Sequence, residues 1–462
     1  MVNELHLNFL KFFAIFGLAP YIRKRRRSQQ QQRRRRHQRP CQHQYPPYPS
    51  HSYSHNVNYH VNHVCDFAVD FGPNQHLRWQ QIYTGAIIIL NLWLTLYGLV
   101  FSPFQDKTVI SDLVSVIVFV IQMLVIYVVL IETALGYKEH FTFIGSIDKI
   151  QGLMQHLLQT QLCVDAIRHR QRRKYFLYIC VVYGSLLAVM LVICFIRYSG
   201  YFWHAILAVL IIRTRCLQML IALDYLCYYL ELLNDKLKAV MSCKIERNYS
   251  ILDVNYHHLE SYEYMESFKM VYDEIYILHI IYNRIFGVSL VGILTVIVLD
   301  IIIHVYWSLL TIMNIYARYY LFITGGTLLP LCTIFFVLCY NGDRCEKRCN
   351  LILISLKSLL RTSSSKFSNP RNVTEYNSLL QAFIMQILHN PIRISANDYF
   401  TLNLKFVMAI AANMVTYIVI LLQFRQNSSN LMPEDFNMTL NFTNDVCTNS
   451  SNFNNTWNNN LE

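Results

Sequence analysis

Ionisable and amide side chains inside long apolar stretches are the residues of this sequence that could do chemistry. Asp300 and His304 stand one helical turn apart, and His204 and Gln122 are isolated in two other apolar stretches. Polar groups are costly in hydrocarbon, so such residues usually face a cavity, a ligand or a partner helix. Noncovalent binding of a small molecule is the chemistry they suit. A structural hydrogen bond between helices explains them equally well.

Motifs of covalent catalysis are missing from the sequence. It contains no Walker loop, no zinc motif, no Gly-x-Ser-x-Gly elbow and no pair of acids at fixed spacing. We therefore expect a protein that is not an enzyme and has no cofactor. The histidines between His37 and His63 lack the paired spacing of a metal site, as do Cys345 and Cys349, so we predict no bound metal. Most of the 13 cysteines are expected to be reduced or buried in lipid.

The elements that position these residues are membrane spans. The chain has 462 residues, of which 54% are hydrophobic and only 15% are charged, against about 25% charged in a soluble domain. Seven apolar runs reach the length of about 20 residues that a helix needs to cross a bilayer. They are residues 82–101, 113–131, 175–196, 201–223, 285–306, 319–339 and 404–424. The predicted fold is all-α, a polytopic membrane protein with seven transmembrane helices.

Basic residues set the predicted orientation, because Lys and Arg are retained on the cytoplasmic side. With a cytoplasmic N-terminus, 33 of the 40 basic residues lie in cytoplasmic segments and four lie outside. Five sequons in the last 38 residues also favour an extracellular C-terminus, whereas an Asn-rich tail can generate sequons by chance. The predicted N-glycosylation sites are Asn427, Asn437, Asn441, Asn449 and Asn454.

Several segments are predicted to lie outside the spans. Residues 1–22 are expected to form an amphipathic helix at the inner surface. Residues 23–81 are basic, then rich in His, Tyr and Gln, and their composition predicts disorder. The basic run fits anionic lipid head groups better than nucleic acid. Residues 340–403 are expected to form a cytoplasmic loop with anchor helices, and residues 425–462 an extracellular tail.

Cytoplasmic helical extensions are predicted for the bundle of residues 82–339. The fourth span continues through Leu226, Leu230 and Leu233, and apolar residues recur every three to four positions between Met265 and Leu278. These faces need a covering surface. A neighbouring subunit or the same chain could supply it.

The last span contains Thr416-Tyr417, five apolar residues and then Gln423-Phe424. This pattern resembles the motif of insect gustatory receptors, which are related to insect odorant receptors. The stretch from Ile394 to Asn403 is similar to the sequence that leads into this motif. Asp398 stands where the family commonly has glycine, which leaves the shape of that turn open.

The resemblance implies a tetrameric, ligand-gated, nonselective cation channel whose last helix lines a central pore. Ile420, Gln423 and Phe424 share a helical face and are the predicted pore-lining residues, while Thr416 and Tyr417 are expected to brace the helix. Rings of apolar side chains can gate by dewetting, and rings of amides can replace part of a cation's water. Alternatively, Gln423 bonds to a neighbouring helix and Phe424 anchors at the membrane interface.

The resemblance also implies a tastant, bound among the first six helices in the plasma membrane of a chemosensory neuron. Its class, sugar or bitter compound, stays open. The protein is expected to form homotetramers or heterotetramers with other gustatory receptors, to contact membrane lipids and to bind no nucleic acid. Polarity and depth select the candidate ligand-binding residues Gln122, His204, Asp300, His304, Tyr320 and Thr324.

Two further classes compete with a channel. A G-protein-coupled receptor also has seven spans, but it carries its N-terminus outside, and the sequence lacks Asp-Arg-Tyr after the third span and Asn-Pro-x-x-Tyr in the seventh. An accessory subunit of a heteromeric receptor would share every feature described above.

Overall fold

The computed structural model describes residues 4–18, 75–101, 109–158, 164–196, 202–246, 262–314, 318–363 and 370–431. Within these ranges the chain forms ten α-helices and one two-stranded antiparallel hairpin. The helices are α1 (Glu4–Ile15), α2 (Gln75–Phe101), α3 (Val109–Leu135), α4 (Tyr137–His156), α5 (Val164–Ile196), α6 (Phe202–Glu246), α7 (Tyr262–Ile312), α8 (Tyr320–Ser363), α9 (Pro370–His389) and α10 (Leu404–Leu431). The strands are β1 (Ser395–Ala396) and β2 (Phe400–Thr401).

Seven of the described helices, α2, α3, α5, α6, α7, α8 and α10, are long and apolar enough to cross a membrane. This confirms the predicted seven-helix architecture. Helices α6, α7 and α8 contain 45, 51 and 44 residues. At 1.5 Å per residue they are about 68, 77 and 66 Å long, roughly twice the thickness of the hydrocarbon core. About half of each helix therefore extends beyond the membrane.

The chain divides into two compact units. The first contains Met1–Ile179, Tyr198–Val296 and Val337–Asn403, and the second contains Cys180–Arg197, Ile297–Phe336 and Leu404–Glu462.

The helical extensions of the first unit bury their apolar faces within the chain. Met265, Phe268 and Leu278 are each 0% exposed. On α9, the ring of Phe383 lies 6.1 Å from the ring of Phe268 and 5.3 Å from that of Tyr272. The covering surface that these faces need is thus supplied by the same chain.

Helix α1 ends in a left-handed glycine. Gly17 has φ +71°, and the amide of Leu18 donates to the Phe13 carbonyl at 3.0 Å, so the last turn closes as glycine-terminated helices commonly do. A Cβ on Gly17 would lie 3.3 Å from the Thr84 hydroxyl oxygen on α2. Glycine at this position lets α1 end against α2 and buries Leu18 completely.

The hairpin before α10 turns through two left-handed residues. Asn397 and Asp398 have φ of 49° and 61°, and the amide of Tyr399 donates to the Ala396 carbonyl at 3.0 Å. These features define a type I′ turn, which favours Asn, Asp and Gly. The carboxylate of Asp398 also accepts a 3.0 Å hydrogen bond from the Ser395 hydroxyl. Aspartate therefore makes the same kind of turn that a glycine would make here.

Two glycines hold this hairpin against the long helices of the first unit. A Cβ on Gly287 of α7 would lie 3.3 Å from the backbone nitrogen of Asn397. A Cβ on Gly342 of α8 would overlap the carbonyl oxygen of Leu402. The carbonyl oxygen of Arg393 lies 2.6 Å from Nε2 of His279 on α7. Both helices thus touch the segment that leads into α10.

Cys227 on α6 and Cys345 on α8 form a disulfide. The sequence predicted that most thiols are reduced or buried in lipid, and it did not predict this bond between residues 118 positions apart. The other described cysteines with free thiols are Cys180, Cys194, Cys216, Cys332, Cys339 and Cys349.

Substitution of Gly342 by alanine should lower the stability of the protein, because the added methyl group displaces the Leu402 carbonyl. Gly145→Ala is the matched control, since a Cβ at this site in α4 meets nothing within 4 Å. Alanine in an open helix interior stabilises by about 0.5–1 kcal/mol. We expect the midpoint of thermal unfolding in detergent to fall for Gly342→Ala and to rise slightly for Gly145→Ala. Equal midpoints would contradict the close packing of the hairpin on α8.

Candidate functional site

Two of the predicted ligand-binding residues lie in the first unit, Gln122 on α3 and His204 on α6. The ring of His204 lies 5.4 Å from the ring of Tyr97 on α2. One residue further along α2, a Cβ on Gly98 would lie 3.0 Å from Cβ of His204. Glycine therefore lets α2 and α6 approach closely beside this histidine.

A polar layer between α2 and α3 escaped the sequence analysis. The Thr95 hydroxyl donates to the Asn91 carbonyl at 2.7 Å and lies 3.4 Å from the Tyr127 hydroxyl. The Asn91 amide, itself fully buried, donates to the sulfur of Met123 at 3.8 Å. The missed signal was an asparagine and a threonine four positions apart inside the first span.

Four other predicted ligand-binding residues lie in the second unit. Asp300 and His304 are on α7, and Tyr320 and Thr324 are on α8. Ser308 joins the two helices, since its hydroxyl oxygen lies 2.7 Å from the His304 carbonyl oxygen and 3.0 Å from the Thr324 hydroxyl oxygen. The structure thus joins Thr324 of α8 to a serine of α7 that was not predicted from the sequence, while His304 contributes only its backbone carbonyl.

Aromatic rings lie beside His304 and Tyr320. The ring of Trp307 lies 5.5 Å from that of His304, edge to face, and the ring of Tyr319 stacks on that of Tyr320 at 4.8 Å. Tyr320 also packs against a buried cluster formed by Tyr306 and Leu310. Hydroxyl and imidazole groups beside aromatic faces are a surface that can hold a small polar molecule.

Helix α10 presents two different faces. Leu421 and Leu422 pack against the cluster of Tyr306 and Leu310 in the second unit. The three predicted pore-lining residues, Ile420, Gln423 and Phe424, lie on the opposite face and are exposed. The span Leu404–Phe424 has a mean hydropathy of 2.0, yet none of its residues is buried within the chain.

The motif residues Thr416 and Tyr417 precede Gln423 and Phe424 by seven positions, about two helical turns, so all four share the exposed face. The Thr416 hydroxyl lies 3.4 Å from the Ala412 carbonyl of its own helix. Within the part of the chain described, this face is free to meet lipid, water or another subunit.

Some predicted sites fall outside the described residues. Asn427 lies in the last turns of α10, whereas Asn437, Asn441, Asn449 and Asn454 follow the last described residue. The basic segment after residue 22 lies outside as well.

A buried ion pair forms the polar centre of the first unit. Arg215 of α6 is 0% exposed, and its Nη2 lies 3.1 Å from Oε2 of Glu132 at the end of α3. The same guanidinium donates to the Ile285 carbonyl at 2.9 Å and to Oε1 of Gln218 at 2.8 Å. Nη2 has a third acceptor in the Ser289 hydroxyl, at 3.3 Å.

Glu132 is also held by α7. Its carboxylate accepts hydrogen bonds from the backbone amides of Val288, at 3.2 Å, and Ser289, and from the Ser289 hydroxyl. These bonds compensate the carboxylate for the water that it loses on burial. Helices α3, α6 and α7 therefore meet at one network of charge-assisted hydrogen bonds.

The network continues to the N-terminal segment through Gln218. Its amide nitrogen donates to the Leu18 carbonyl at 2.9 Å, while its amide oxygen accepts from Arg215. The pairing of Arg215 with Glu132 was not predicted from the sequence. The available signal was two arginines, Arg213 and Arg215, in the fourth apolar run and one glutamate directly after the second.

His140 of α4 lies beside this network. Its ring contacts the edge of Phe286 with centroids 5.9 Å apart, and the Arg215 guanidinium lies over the same Phe286 ring at 4.5 Å. Burial, together with the positive charge of Arg215, lowers the pKa of His140 from 6.5 to about 3. His140 is therefore neutral at physiological pH.

Comparisons with known proteins agree with this architecture. A family model described as 7tm chemosensory receptor matches residues 64–428. Drosophila melanogaster gustatory receptor 39b is 29% identical over 349 residues, which cover 75% of this chain and 91% of that protein. Gustatory receptor 23a of the same fly is 28% identical over 161 residues, which cover 35% of this chain and 41% of that protein.

Solved structures share the fold. The olfactory receptor OR5 of the insect Machilis hrabei, in complex with eugenol, superposes with a TM-score of 0.54 at 14% identity. The match covers 76% of this chain and 92% of that one. A second OR5 structure gives a TM-score of 0.51 at 13% identity, with 77% and 93% of the two chains covered.

Removal of one member of the Arg215–Glu132 pair should destabilise the protein strongly. A single substitution, Arg215→Met or Glu132→Gln, leaves a buried charge without its partner, which costs about 3–5 kcal/mol. The double variant removes both charges, so it should be more stable than the sum of the two single losses predicts. Thermal unfolding of the four detergent-purified proteins measures this coupling. Additive losses would show that the two charges do not interact.

Acidification should destabilise the folded protein through His140. Below pH 6.5 the unfolded state binds a proton on this residue, but the folded state does not until about pH 3. The stability contributed by neutral His140 is therefore lost as the pH falls, by about 1 kcal/mol between pH 7.5 and 5.5. The His140→Gln variant should show a smaller loss of thermal stability over this interval. Replacement of the exposed His156 by Gln controls for the change of residue type.

Proposed function

Since the chain belongs to the seven-transmembrane chemosensory receptor family, we propose that it is a gustatory receptor that conducts cations when a tastant binds. It is a multi-pass chemoreceptor of the plasma membrane. The channel activity, the tastant and the assembly are the parts that we propose.

The observation that carries the proposal is the exposed face of α10. An apolar helix with no buried residue is suited to a bilayer, but the amide of Gln423 on its exposed face is costly in hydrocarbon. A water-filled pore removes this cost. With Leu421 and Leu422 packed on the second unit, Gln423 would point toward the axis of a symmetric assembly.

In a tetramer, four copies of α10 would place Ile420, Gln423 and Phe424 in three stacked rings. The apolar rings would close the pore by excluding water, and the amide ring would coordinate cations without strong selectivity. A heterotetramer with other gustatory receptors would keep this arrangement wherever the partner carries the same motif.

The hairpin provides a physical link between α10 and the long helices. Leu402 is buried against Gly342, and α10 begins at Leu404, so one residue, Asn403, separates this buried contact from the proposed pore helix. A displacement of α7 or α8 on ligand binding would move the Ser395–Leu402 segment. That segment would in turn move the start of α10.

For the tastant we propose the polar group of the second unit, with Asp300, His304, Tyr320 and Thr324 as contacts. Ser308 already bonds across α7 and α8 at this place, so a hydroxyl-bearing ligand could exchange with an existing hydrogen bond. The aromatic rings of Trp307 and Tyr320 would cover its apolar parts. Gln122 and His204 are proposed, on polarity alone, as ligand-binding residues of the first unit.

Charge substitutions at Gln423 test the pore directly. With surface expression verified and G-protein signalling blocked, a tastant panel should evoke a whole-cell cation current in cells that express the chain. Gln423→Lys should reduce this current about tenfold or more, because four positive charges would line the pore. Gln423→Glu and Gln423→Ala should change its ion preference, and Gln423→Asn, which keeps the amide ring, should conserve it.

A current that disappears when G-protein signalling is blocked would favour a metabotropic receptor and contradict the pore. Unchanged currents in all four Gln423 variants would place this residue outside the conduction path. If the wild type reaches the cell surface but gives no current, and co-expression of another gustatory receptor restores a current, the chain is an accessory subunit.

A further inference from the structure

Three buried polar atoms near Phe286 have no hydrogen-bond partner among the described residues. They are Nε of Arg215, the hydroxyl of Tyr282 and Nε2 of His140. The three residues are 0%, 1% and 6% exposed, so bulk water does not reach them. They come from α6, α7 and α4. An unpaired buried polar group is costly, and natural interiors seldom contain one.

The three side chains gather around a single ring. Cζ of Arg215 lies 4.5 Å from the centroid of Phe286, the ring of Tyr282 lies 4.9 Å from it and the ring of His140 lies 5.9 Å from it. All three side chains thus contact the same ring in the first unit.

We propose that a buried water molecule is bound at this place and joins Arg215, Tyr282 and His140. Buried waters typically make about three hydrogen bonds to otherwise unsatisfied groups, which is the number of atoms present. Nε of Arg215 donates to the water oxygen, neutral His140 can accept from it or donate to it according to tautomer, and the Tyr282 hydroxyl can do either.

A neutral occupant fits the charges around the site. The positive charge of Arg215 is already balanced by Glu132 at 3.1 Å, so a bound anion would be left as an uncompensated buried charge. Water needs no such compensation. Through it, α4 would join the hydrogen-bond network that holds α3, α6 and α7 together.

Removal of the Tyr282 hydroxyl distinguishes a hydroxyl that binds a water molecule from a hydroxyl that has no partner. If the water is present, Tyr282→Phe removes one of its hydrogen bonds and should lower the thermal unfolding midpoint, by about 2 °C. If the hydroxyl has no partner, the same substitution removes a costly group, so the midpoint should stay or rise. Tyr229→Phe calibrates the effect, because the equally buried Tyr229 hydroxyl accepts a 3.0 Å bond from Gln151.

A double-variant cycle tests whether Tyr282 and His140 share the water. His140→Phe and Tyr282→Phe should each lower the midpoint, and the double variant should lose less than the sum, because either substitution already weakens the same water. Additive losses, or an unchanged midpoint in Tyr282→Phe, would overturn the proposal. If His140→Phe does not fold, the single comparison of Tyr282→Phe with Tyr229→Phe decides.

Exchange of chloride for gluconate at constant ionic strength distinguishes water from an anion. The wild-type midpoint should not change with chloride. A chloride-dependent midpoint that disappears in Tyr282→Phe would overturn the proposal in favour of a halide site. These measurements use purified protein without a tastant, so their result is independent of channel activity.

Discussion

The charge of Arg215 is the constraint on which the first unit depends. A guanidinium without access to water must be surrounded by acceptors in fixed positions, and here they come from Glu132, Gln218, the Ile285 carbonyl and Ser289. Each acceptor fixes the helix that carries it. Apolar packing between these helices would tolerate sliding or rotation. Several directional hydrogen bonds to one cation instead select a single register of the helices. The close contact of Gly287 with the hairpin lies one residue from Val288, whose amide binds Glu132.

Helix α10 follows a different principle. Its span up to Phe424 has a mean hydropathy of 2.0, none of the residues in this span is buried, and Phe406, Leu421 and Leu422 pack it against apolar side chains of the second unit. The Arg215 network holds its helices in one arrangement. The contacts of the last helix with Tyr306, Leu310 and Phe335 are apolar. The charge-assisted hydrogen bonds of the first unit thus belong to other helices than the one that carries the sequence motif.

How much of the structure could be predicted depends on how far apart in the sequence the interacting residues lie. Span length is a local property of about 20 residues, so the seven helices were predictable. So was the common face of Gln423 and Phe424, which depends on helical periodicity alone. The pairing of Glu132 with Arg215 joins residues 83 positions apart. The hydrogen bond of Ser308 to Thr324 likewise depends on the contact between α7 and α8. Such partners depend on how helices assemble, which periodicity within one helix does not encode. The turn at Asp398 was ambiguous because Asp and Gly both adopt left-handed φ.

The hydrogen bond between Gln218 and Leu18 joins residues 200 positions apart. Leu18 is therefore synthesised well before its partner. A ribosome adds about 5–20 residues per second, so α1 must wait roughly 10–40 s before its docking partner exists. Glu132 likewise enters the membrane region before Arg215 is made, and before the amides of α7 that also bind it. The bonds from α6 to Leu18, and from α6 and α7 to Glu132, therefore form only after those helices have been synthesised.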